Sequence, residues 1–251
     1  MDKRIGAQCY TIRDFIKNEE DLDKSMEKLK NIGYQTVQIS GIGPIEPETV
    51  KNLCDKHGLE VICTHKGQDD YLNRLEETIR YHKIIGCKIA GIGSIGNYDR
   101  SADGYRKFVR DFTPVSQRLR EEGITFAYHN HAFDFVKENG EYLLDIILNE
   151  SDFDLILDVY WVAFSGIDPA KLIRKIGSRA RILHFKDLKC NKDNKTEMAE
   201  VMNGNLDWDS IIAACEESGC QAAMVEQDTC SGDPFDSLKI SYQHLTTKGF
   251  C

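Results

Sequence analysis

The sequence predicts an α/β protein folded as a single (β/α)8 TIM barrel, and three observations support this prediction. Eight short apolar runs alternate with helix-like stretches along the 251 residues. This length and rhythm are typical of one such barrel. Six of the helix-like stretches are followed by glycine, the residue that most often ends a helix. No proline- or serine-rich linker interrupts the pattern, so we expect one domain over residues 1–251.

The eight apolar runs are the predicted strands. Each is too short for a helix and is rich in isoleucine, valine or aromatic residues, which suits a strand buried on both faces. In chain order the runs are Ile5–Tyr10, Thr36–Ser40, Glu60–His65, Lys88–Gly93, Ile124–His129, Leu155–Val159, Ile182–Lys186 and Ala222–Gln227.

The stretches between the strands carry apolar residues at helical spacing. They cover Leu22–Ile32, Pro47–His57, Leu72–Ile85, Tyr105–Glu122, Pro169–Ile176 and Leu206–Ser218. The glycines that follow them are Gly33, Gly58, Gly86, Gly123, Gly177 and Gly219. Asp168 and Pro169 form a further start signal, an N-cap followed by proline at the first helical position.

A doubly wound open sheet is the alternative fold, although such a sheet usually has fewer strands. The segment from Gly91 to Gly96 nearly matches the glycine motif of a dinucleotide site, and it follows a strand. It follows the fourth strand, however, and no acidic residue ends the next one. We therefore interpret it as a tight β–α turn.

Composition and charge exclude several classes of protein. There are 41 acidic and 32 basic residues, a formal charge of −9, which argues against non-specific binding to nucleic acid or acidic membranes. No apolar run of about 18 residues is present, and no apolar signal segment follows Met1. The nine cysteines form no CxxC pair and are interpreted as reduced, small apolar residues of a cytoplasmic protein.

Polar residues cluster at the ends of the predicted strands. In a (β/α)8 barrel these ends converge on one mouth, where the chemistry takes place. The strand ends carry Gln8 and Tyr10, Gln38, His65, Tyr128–His131, Asp158 with Trp161, His184–Asp187 and Glu226–Asp228. Alternation along a strand puts His129 on the same face as His131, and His184 on the same face as Lys186. Buried polar groups without partners are costly, so these residues predict a functional site.

Two imidazoles and two carboxylates from successive strand ends suit one divalent metal ion. They belong to His129, Asp158, His184 and Glu226. Mn²⁺, Zn²⁺, Co²⁺ and Fe²⁺ accept mixed nitrogen and oxygen ligands, whereas Mg²⁺ prefers oxygen alone. The alternative is that each residue lies separately in the core or at the rim, with its polar atoms satisfied by hydrogen bonds.

With these motifs the chain resembles the xylose-isomerase-like TIM barrels, the sugar phosphate isomerase/epimerase group that includes ketose 3-epimerases and inosose dehydratases. The likeness covers nearly the whole chain and is most specific at Gly6-x-Gln8-x-Tyr10, Tyr128-His129-Asn130-His131, Asp158-x-x-Trp161, His184-x-Lys186-Asp187 and Glu226. The resemblance implies one metal held by an acid on strand five, Asp on strand six, His on strand seven and Glu on strand eight. Asp158, His184 and Glu226 match this pattern, whereas His129 replaces the strand-five acid.

The resemblance also implies an activity, namely proton abstraction next to the carbonyl of a sugar, a sugar phosphate or a cyclitol. The epimerases of the family use carboxylates on strands five and eight for this step. An imidazole that binds a metal through its lone pair cannot also take up a proton, so Glu226 would be the lone carboxylate base. The partner acid would then be His131, Lys186 or His65. This arrangement suits isomerisation, or the β-elimination of the inosose dehydratase branch, better than epimerisation.

The remaining candidates have less specific roles. Lys186 either stabilises a developing enolate oxygen or forms an ion pair with Asp187 or Asp158. Trp161 either stacks on a sugar ring or packs beside its strand. Three further side chains either bind substrate hydroxyls or form hydrogen bonds with backbone groups at the rim. They are Gln8, Gln38 and His65. Trp208 is interpreted as structural, at the start of a helix.

Two further function classes share features with this sequence. Related abasic-site endonucleases share this barrel but use three zinc ions and additional histidines. Here Trp161 stands three residues after Asp158, and no Asp-x-His follows strand seven, so we expect no nucleic-acid substrate. A non-catalytic barrel that binds a sugar or a metal stays open because of His129. The sequence also leaves open a homo-oligomer.

Overall fold

A computed structural model describes residues 1–251, and its central feature is a closed barrel of eight parallel strands. The strands are β1 (Ile5–Gln8), β2 (Thr36–Ile39), β3 (Glu60–Lys66), β4 (Ile89–Ile92), β5 (Thr125–His129), β6 (Asp154–Asp158), β7 (Ala180–Phe185) and β8 (Ala222–Val225). Each strand pairs with the next along the chain, and β8 pairs with β1 to close the barrel. The predicted (β/α)8 fold is confirmed, and the predicted strand ends are correct to within two residues.

Ten α-helices connect or follow these strands. They are α1 (Glu19–Ile32), α2 (Pro47–Lys56), α3 (Gln68–Leu72), α4 (Leu75–Ile85), α5 (Ala102–Glu121), α6 (Leu143–Glu150), α7 (Val159–Phe164), α8 (Pro169–Ile176), α9 (Trp208–Ser218) and α10 (Pro234–Thr246). All six glycines predicted to end helices have positive φ angles. No helix is long and apolar enough to cross a membrane.

The helix predicted over Leu72–Ile85 is wrong at its start. The structure has two helices there, because Arg74 adopts a non-helical conformation (φ −133°, ψ 37°) between α3 and α4. Helices α6, α7 and α10 were not predicted. Helix α10 nevertheless begins with the same signal as α8, since Asp233 caps it just before Pro234.

The interior of the barrel is filled by a compact apolar layer, here called the floor. Its eight residues are Ile62, Cys63, Ile89, Ala127, Ile156, Ile182, Ala222 and Met224. Two glycines make room for it. A Cβ on Gly6 would lie 2.1 Å from the sulfur of Met224, and one on Gly91 would lie 2.5 Å from Cδ1 of Ile156. The barrel is therefore a packed core and not a pore.

Additional segments extend the barrel on the side of the mouth. The chain turns into a 3₁₀ helix, Cys9–Phe15, directly after β1. A β-hairpin after β7 pairs Asp187–Cys190 with Thr196–Ala199, and a smaller hairpin pairs Lys137–Glu138 with Glu141–Tyr142. All nine cysteines are free thiols, six of them buried.

A buried histidine outside the mouth ties helix α4 to strand β3. The Nδ1–H of His82 donates to the carbonyl oxygen of Thr78 at 2.7 Å, and its Nε2 accepts from the hydroxyl of Thr64, also at 2.7 Å. This pairing requires the neutral imidazole. Burial lowers the pKa of His82 from 6.5 to about 4.

The stability of the protein should therefore fall in mild acid. The folded-state pKa of His82 lies below its unfolded value, so the stabilisation is complete above pH 6.5 and is lost as the pH falls towards 4. Between pH 7.5 and 5.0 we expect this residue to lower the free energy of unfolding by about 2 kcal/mol. Urea unfolding of the wild type and His82→Gln at both pH values measures the effect. A variant with the same pH dependence as the wild type would contradict it.

Candidate metal centre

The side chains at the mouth form the layer directly above the floor. Five side chains each follow a floor residue by two positions, on its strand or directly after it, and they are His65, His129, Asp158, His184 and Glu226. The floor residues are, in the same order, Cys63, Ala127, Ile156, Ile182 and Met224. Because side chains alternate between the two faces of a strand, all five site residues enter the barrel interior.

The four predicted ligands converge. One ligand atom from each of His129, Asp158, His184 and Glu226 lies within 4.8 Å of the others, and all four residues are buried. His129 Nε2 lies 3.5 Å from Asp158 Oδ2. His184 Nδ1 lies 2.9 Å from Glu226 Oε2 and 4.0 Å from Asp158 Oδ2. The predicted cluster of these residues at the barrel mouth is present.

Three atoms of this cluster are buried and form no hydrogen bond, namely His129 Nε2, Asp158 Oδ2 and His184 Nδ1, although Asp158 Oδ2 also lies 3.3 Å from the Lys186 ammonium. Burying polar atoms without hydrogen bonds is unfavourable, and a metal ion bound among the three would satisfy all of them. Two imidazole nitrogens and two carboxylates are a donor set that fits a divalent transition ion. The residues present therefore fit the metal that the sequence predicts.

Contacts outside the cluster orient both imidazoles. The Nδ1–H of His129 donates to the carbonyl oxygen of Gly93 at 3.1 Å, and the Nε2–H of His184 donates to Oε1 of Gln38 at 2.8 Å. The Gly93 carbonyl can only accept, so Nε2 of a neutral His129 presents its lone pair to the cluster, and Oε1 of Gln38 in this orientation has the same effect on Nδ1 of a neutral His184. Gln38, predicted to bind substrate, thus holds a proposed ligand, while its Nε2 has no partner.

Asp158 is oriented in the same way by helix α7. Its Oδ1 caps the helix by accepting from the backbone N–H of Tyr160 (2.8 Å) and of Trp161 (3.3 Å), which leaves Oδ2 in the cluster. Asn130 adds a second constraint that the sequence analysis did not identify. Its Oδ1 accepts from the N–H of Asp158 at 2.9 Å and its Nδ2 reaches the Asp158 carbonyl at 3.4 Å. The ends of β5 and β6 are thereby locked together.

Lys186 is a buried cation beside this cluster. Its Nζ lies 3.3 Å from Asp158 Oδ2, 3.4 Å from Glu226 Oε2 and 2.7 Å from Asp228 Oδ2. It also lies 5.1 Å from the ring centre of Trp161. Of the two ion pairs considered for Lys186, the one with Asp158 is present.

Asp187 points away from Lys186 and organises the loop before α9. It accepts from the N–H groups of Met202 (2.8 Å) and Gly204 (3.0 Å) and from the indole N–H of Trp208 (2.7 Å). Gly204 is required there, since a Cβ would lie 2.3 Å from Asp187 Oδ1. Trp208 is accordingly a buried structural residue, as predicted.

Neighbouring charges set the pKa values of the cluster. Burial alone would raise the pKa of Asp158 and Glu226, but the Lys186 ammonium and the neighbouring imidazoles together outweigh burial and hold the pKa of both carboxyls below their usual values. Burial would likewise lower the pKa of Lys186, but Asp158, Glu226 and Asp228 raise it above its ordinary value. Both carboxylates are ionised and Lys186 is protonated at neutral pH.

The two other histidines of the mouth are neutral. Burial, together with the neighbouring His129, lowers the pKa of His131 to about 3 and that of His65 well below its usual range. The His65 ring lies 5.0 Å from that of His129, and the His131 ring stacks on Phe133 at 5.2 Å. A buried Asp134 holds His131 in place by accepting from its backbone N–H at 2.5 Å.

A cavity of about 750 Å³ opens above the cluster. Five of the predicted site residues line it, and they are His65, His129, His131, Lys186 and Glu226. The other five do not line it, although each has a buried polar atom without a hydrogen bond, and they are Gln8, Gln38, Asp158, Trp161 and His184. Asp228 also lines the cavity, and the sequence predicted no role for it. A signal was present, because Asp228 belongs to the polar run Glu226–Asp228 at the end of the eighth predicted strand.

Comparisons with known proteins agree with this architecture. A family model described as xylose isomerase-like TIM barrel matches residues 26–246. The inosose dehydratase of Lacticaseibacillus casei is 23% identical over 268 residues, covering 90% of this chain and 89% of that protein.

Solved structures show the same fold. A sugar phosphate isomerase/epimerase from Parabacteroides distasonis superposes with a TM-score of 0.79 at 20% identity, covering 100% of this chain and 96% of that one. A probable 3-DHS dehydratase from Bacillus anthracis superposes with a TM-score of 0.73 at 14% identity, covering 98% and 99%. The family model spans most of the barrel, and the chain belongs to the xylose isomerase-like TIM barrel family.

Proposed function

We propose that the chain is a metal-dependent enzyme that removes the proton next to a carbonyl group of a small sugar or cyclitol. The observation that carries this proposal is the buried cluster of two imidazoles and two carboxylates, in which three polar atoms form no hydrogen bond, beneath a cavity of about 750 Å³. The relatives named above, an inosose dehydratase and a sugar phosphate isomerase/epimerase, support the same class of substrate.

His129, Asp158, His184 and Glu226 would hold one divalent ion. The two imidazoles favour Mn²⁺, Zn²⁺, Co²⁺ or Fe²⁺ over Mg²⁺. Such an ion, when bound, polarises a substrate carbonyl and so acidifies the neighbouring C–H group.

Glu226 is the proposed base. Its contacts with His184 and Lys186 are made by Oε2, which leaves Oε1 for the cavity that Glu226 lines. The carboxylate is ionised at neutral pH and can take up a proton. One oxygen can therefore remain in the cluster while the other faces the substrate carbon.

Lys186 is the residue proposed to donate a hydrogen bond to the substrate oxygen. The sequence suggested three candidates for this role, and the electrostatics favour Lys186. His131 and His65 are neutral, whereas Lys186 carries a positive charge and lines the cavity. A fixed ammonium group next to an oxygen that gains negative charge stabilises the transition state.

A β-elimination is the second candidate reaction, and the presence of His129 favours it over epimerisation. An epimerase of the kind that the resemblance implies needs a carboxylate on strand five as the second base. Here the strand-five residue presents a lone pair to the cluster and its other nitrogen to Gly93. One carboxylate base and one cationic donor suit isomerisation or loss of water from a keto-cyclitol.

We expect the purified protein to bind about one divalent transition ion per chain, since the four donors form a single site. His184→Ala and Asp158→Asn should each lose most of it, because each removes a ligand, while Asn keeps an oxygen that can cap α7. Elemental analysis after dialysis against a chelator and reloading measures the content. His57→Ala is the matched control, since His57 pairs with Asp23 away from the mouth. Variants that all keep wild-type content would refute the site.

Glu226→Gln should lower exchange of the substrate α-proton by about 10²–10⁴-fold, the range that general-base catalysis supplies. The amide keeps the size of the side chain and a weak oxygen ligand but removes the basic lone pair. NMR of a keto-sugar or inosose in D₂O measures exchange and also identifies the product. Glu60→Gln is the control, because Glu60 begins strand β3 at the end of the barrel away from the mouth. Unchanged exchange in Glu226→Gln would mean that another group takes the proton.

A further inference from the structure

We propose that Asp228 is a positioning residue that holds the Lys186 ammonium beside the metal centre, so that Asp158 and Glu226 remain free to bind the ion. The inference rests on the metal centre proposed above. It assigns a role to a carboxylate that lies outside the cluster of four ligands but lines the same cavity.

The geometry places the lysine and the ion in competition. Lys186 Nζ contacts Asp158 Oδ2 at 3.3 Å and Glu226 Oε2 at 3.4 Å. Asp158 Oδ2 is one of the cluster atoms that form no hydrogen bond, and Glu226 Oε2 is the oxygen next to His184 Nδ1. Any cation bound by the four ligands must therefore share these oxygens with the ammonium group, and two positive charges at such distances repel each other strongly in a buried site.

Asp228 resolves this competition. Its Oδ2 makes the shortest of the three contacts to Lys186, at 2.7 Å, and it is the only one of the three carboxylates that does not belong to the cluster. A lysine paired with Asp228 can stay protonated beside a bound ion without drawing Asp158 and Glu226 away from it. The ring of Trp161, 5.1 Å from Nζ, supports the ammonium group further.

Asp228 is itself fixed by contacts from the segment that follows the neighbouring strand β1. Its carbonyl oxygen accepts from the guanidinium of Arg13 at 3.1 Å. The N–H of the preceding residue, Gln227, donates to the hydroxyl of Thr11 at 3.0 Å. The segment after β8 is thus anchored to the 3₁₀ helix after β1, as a positioning role requires.

A double-mutant cycle on metal affinity tests the proposal without relying on turnover. Without its partner, Lys186 is held by Asp158 and Glu226 alone and competes with the ion. Asp228→Asn should therefore weaken binding of Mn²⁺ or Co²⁺ by about 10-fold or more, the range seen when contacts outside the ligand set are lost. Lys186→Met removes the competing cation, so its affinity should not fall. In the Lys186→Met background, Asp228→Asn should change the affinity by no more than about twofold, because its effect acts through the lysine.

Isothermal titration with the metal alone gives the four dissociation constants, and circular dichroism confirms that each variant is folded. Asp69→Asn is the matched control, because Asp69 lines the same cavity but pairs with Arg74. Equal weakening by Asp228→Asn in both backgrounds would show that Asp228 acts directly on the ion, and unchanged affinity would show that it does nothing. Either result overturns the inference while leaving the metal centre intact. A wild-type protein that binds no divalent ion refutes the metal centre itself, before any variant is compared.

Discussion

The alternation of side chains along the strands of a closed barrel is the constraint on which the rest of the structure depends. Because the strands close on themselves, every second side chain must enter the interior, where there is no solvent to solvate it. The chain meets this constraint with an apolar floor and, two residues further along the strands, a layer of ionisable groups. The polar layer is compatible with burial only because its charges compensate one another or hold a cation.

The ionisable layer is held rigidly by contacts that have other structural purposes. Asp158 caps a helix with one oxygen, and His129 is fixed by the backbone of Gly93. Gln38 does the same for His184 from the far side of the barrel. Each contact uses one polar atom and leaves the other for the cluster. The orientation of the lone pairs therefore follows from the fold itself, which is the preorganisation that a metal centre needs.

The sequence predicted the barrel and the four converging residues because both follow from periodicity. Strand runs repeat eight times, and alternation assigns the residues at their ends to one face. Periodicity could not predict contacts that are made across the barrel or through the backbone. The hydrogen bond from His184 to Gln38 joins residues 146 positions apart, and the acceptor for His129 is a backbone carbonyl that any residue would supply. The break at Arg74 was not predicted, because apolar residues recur at helical spacing across it, from Leu72 to Ile85.

X-ray absorption at the metal edge tests the central claim, that two imidazoles and two carboxylates bind one ion at the mouth, most directly. For protein loaded with Co²⁺ or Zn²⁺, the account predicts nitrogen and oxygen neighbours at about 2.0–2.2 Å, with the multiple-scattering signature of two imidazoles. His129→Ala should reduce that signature to one imidazole. A first shell without imidazole scattering, or one that His129→Ala leaves unchanged, would contradict the account.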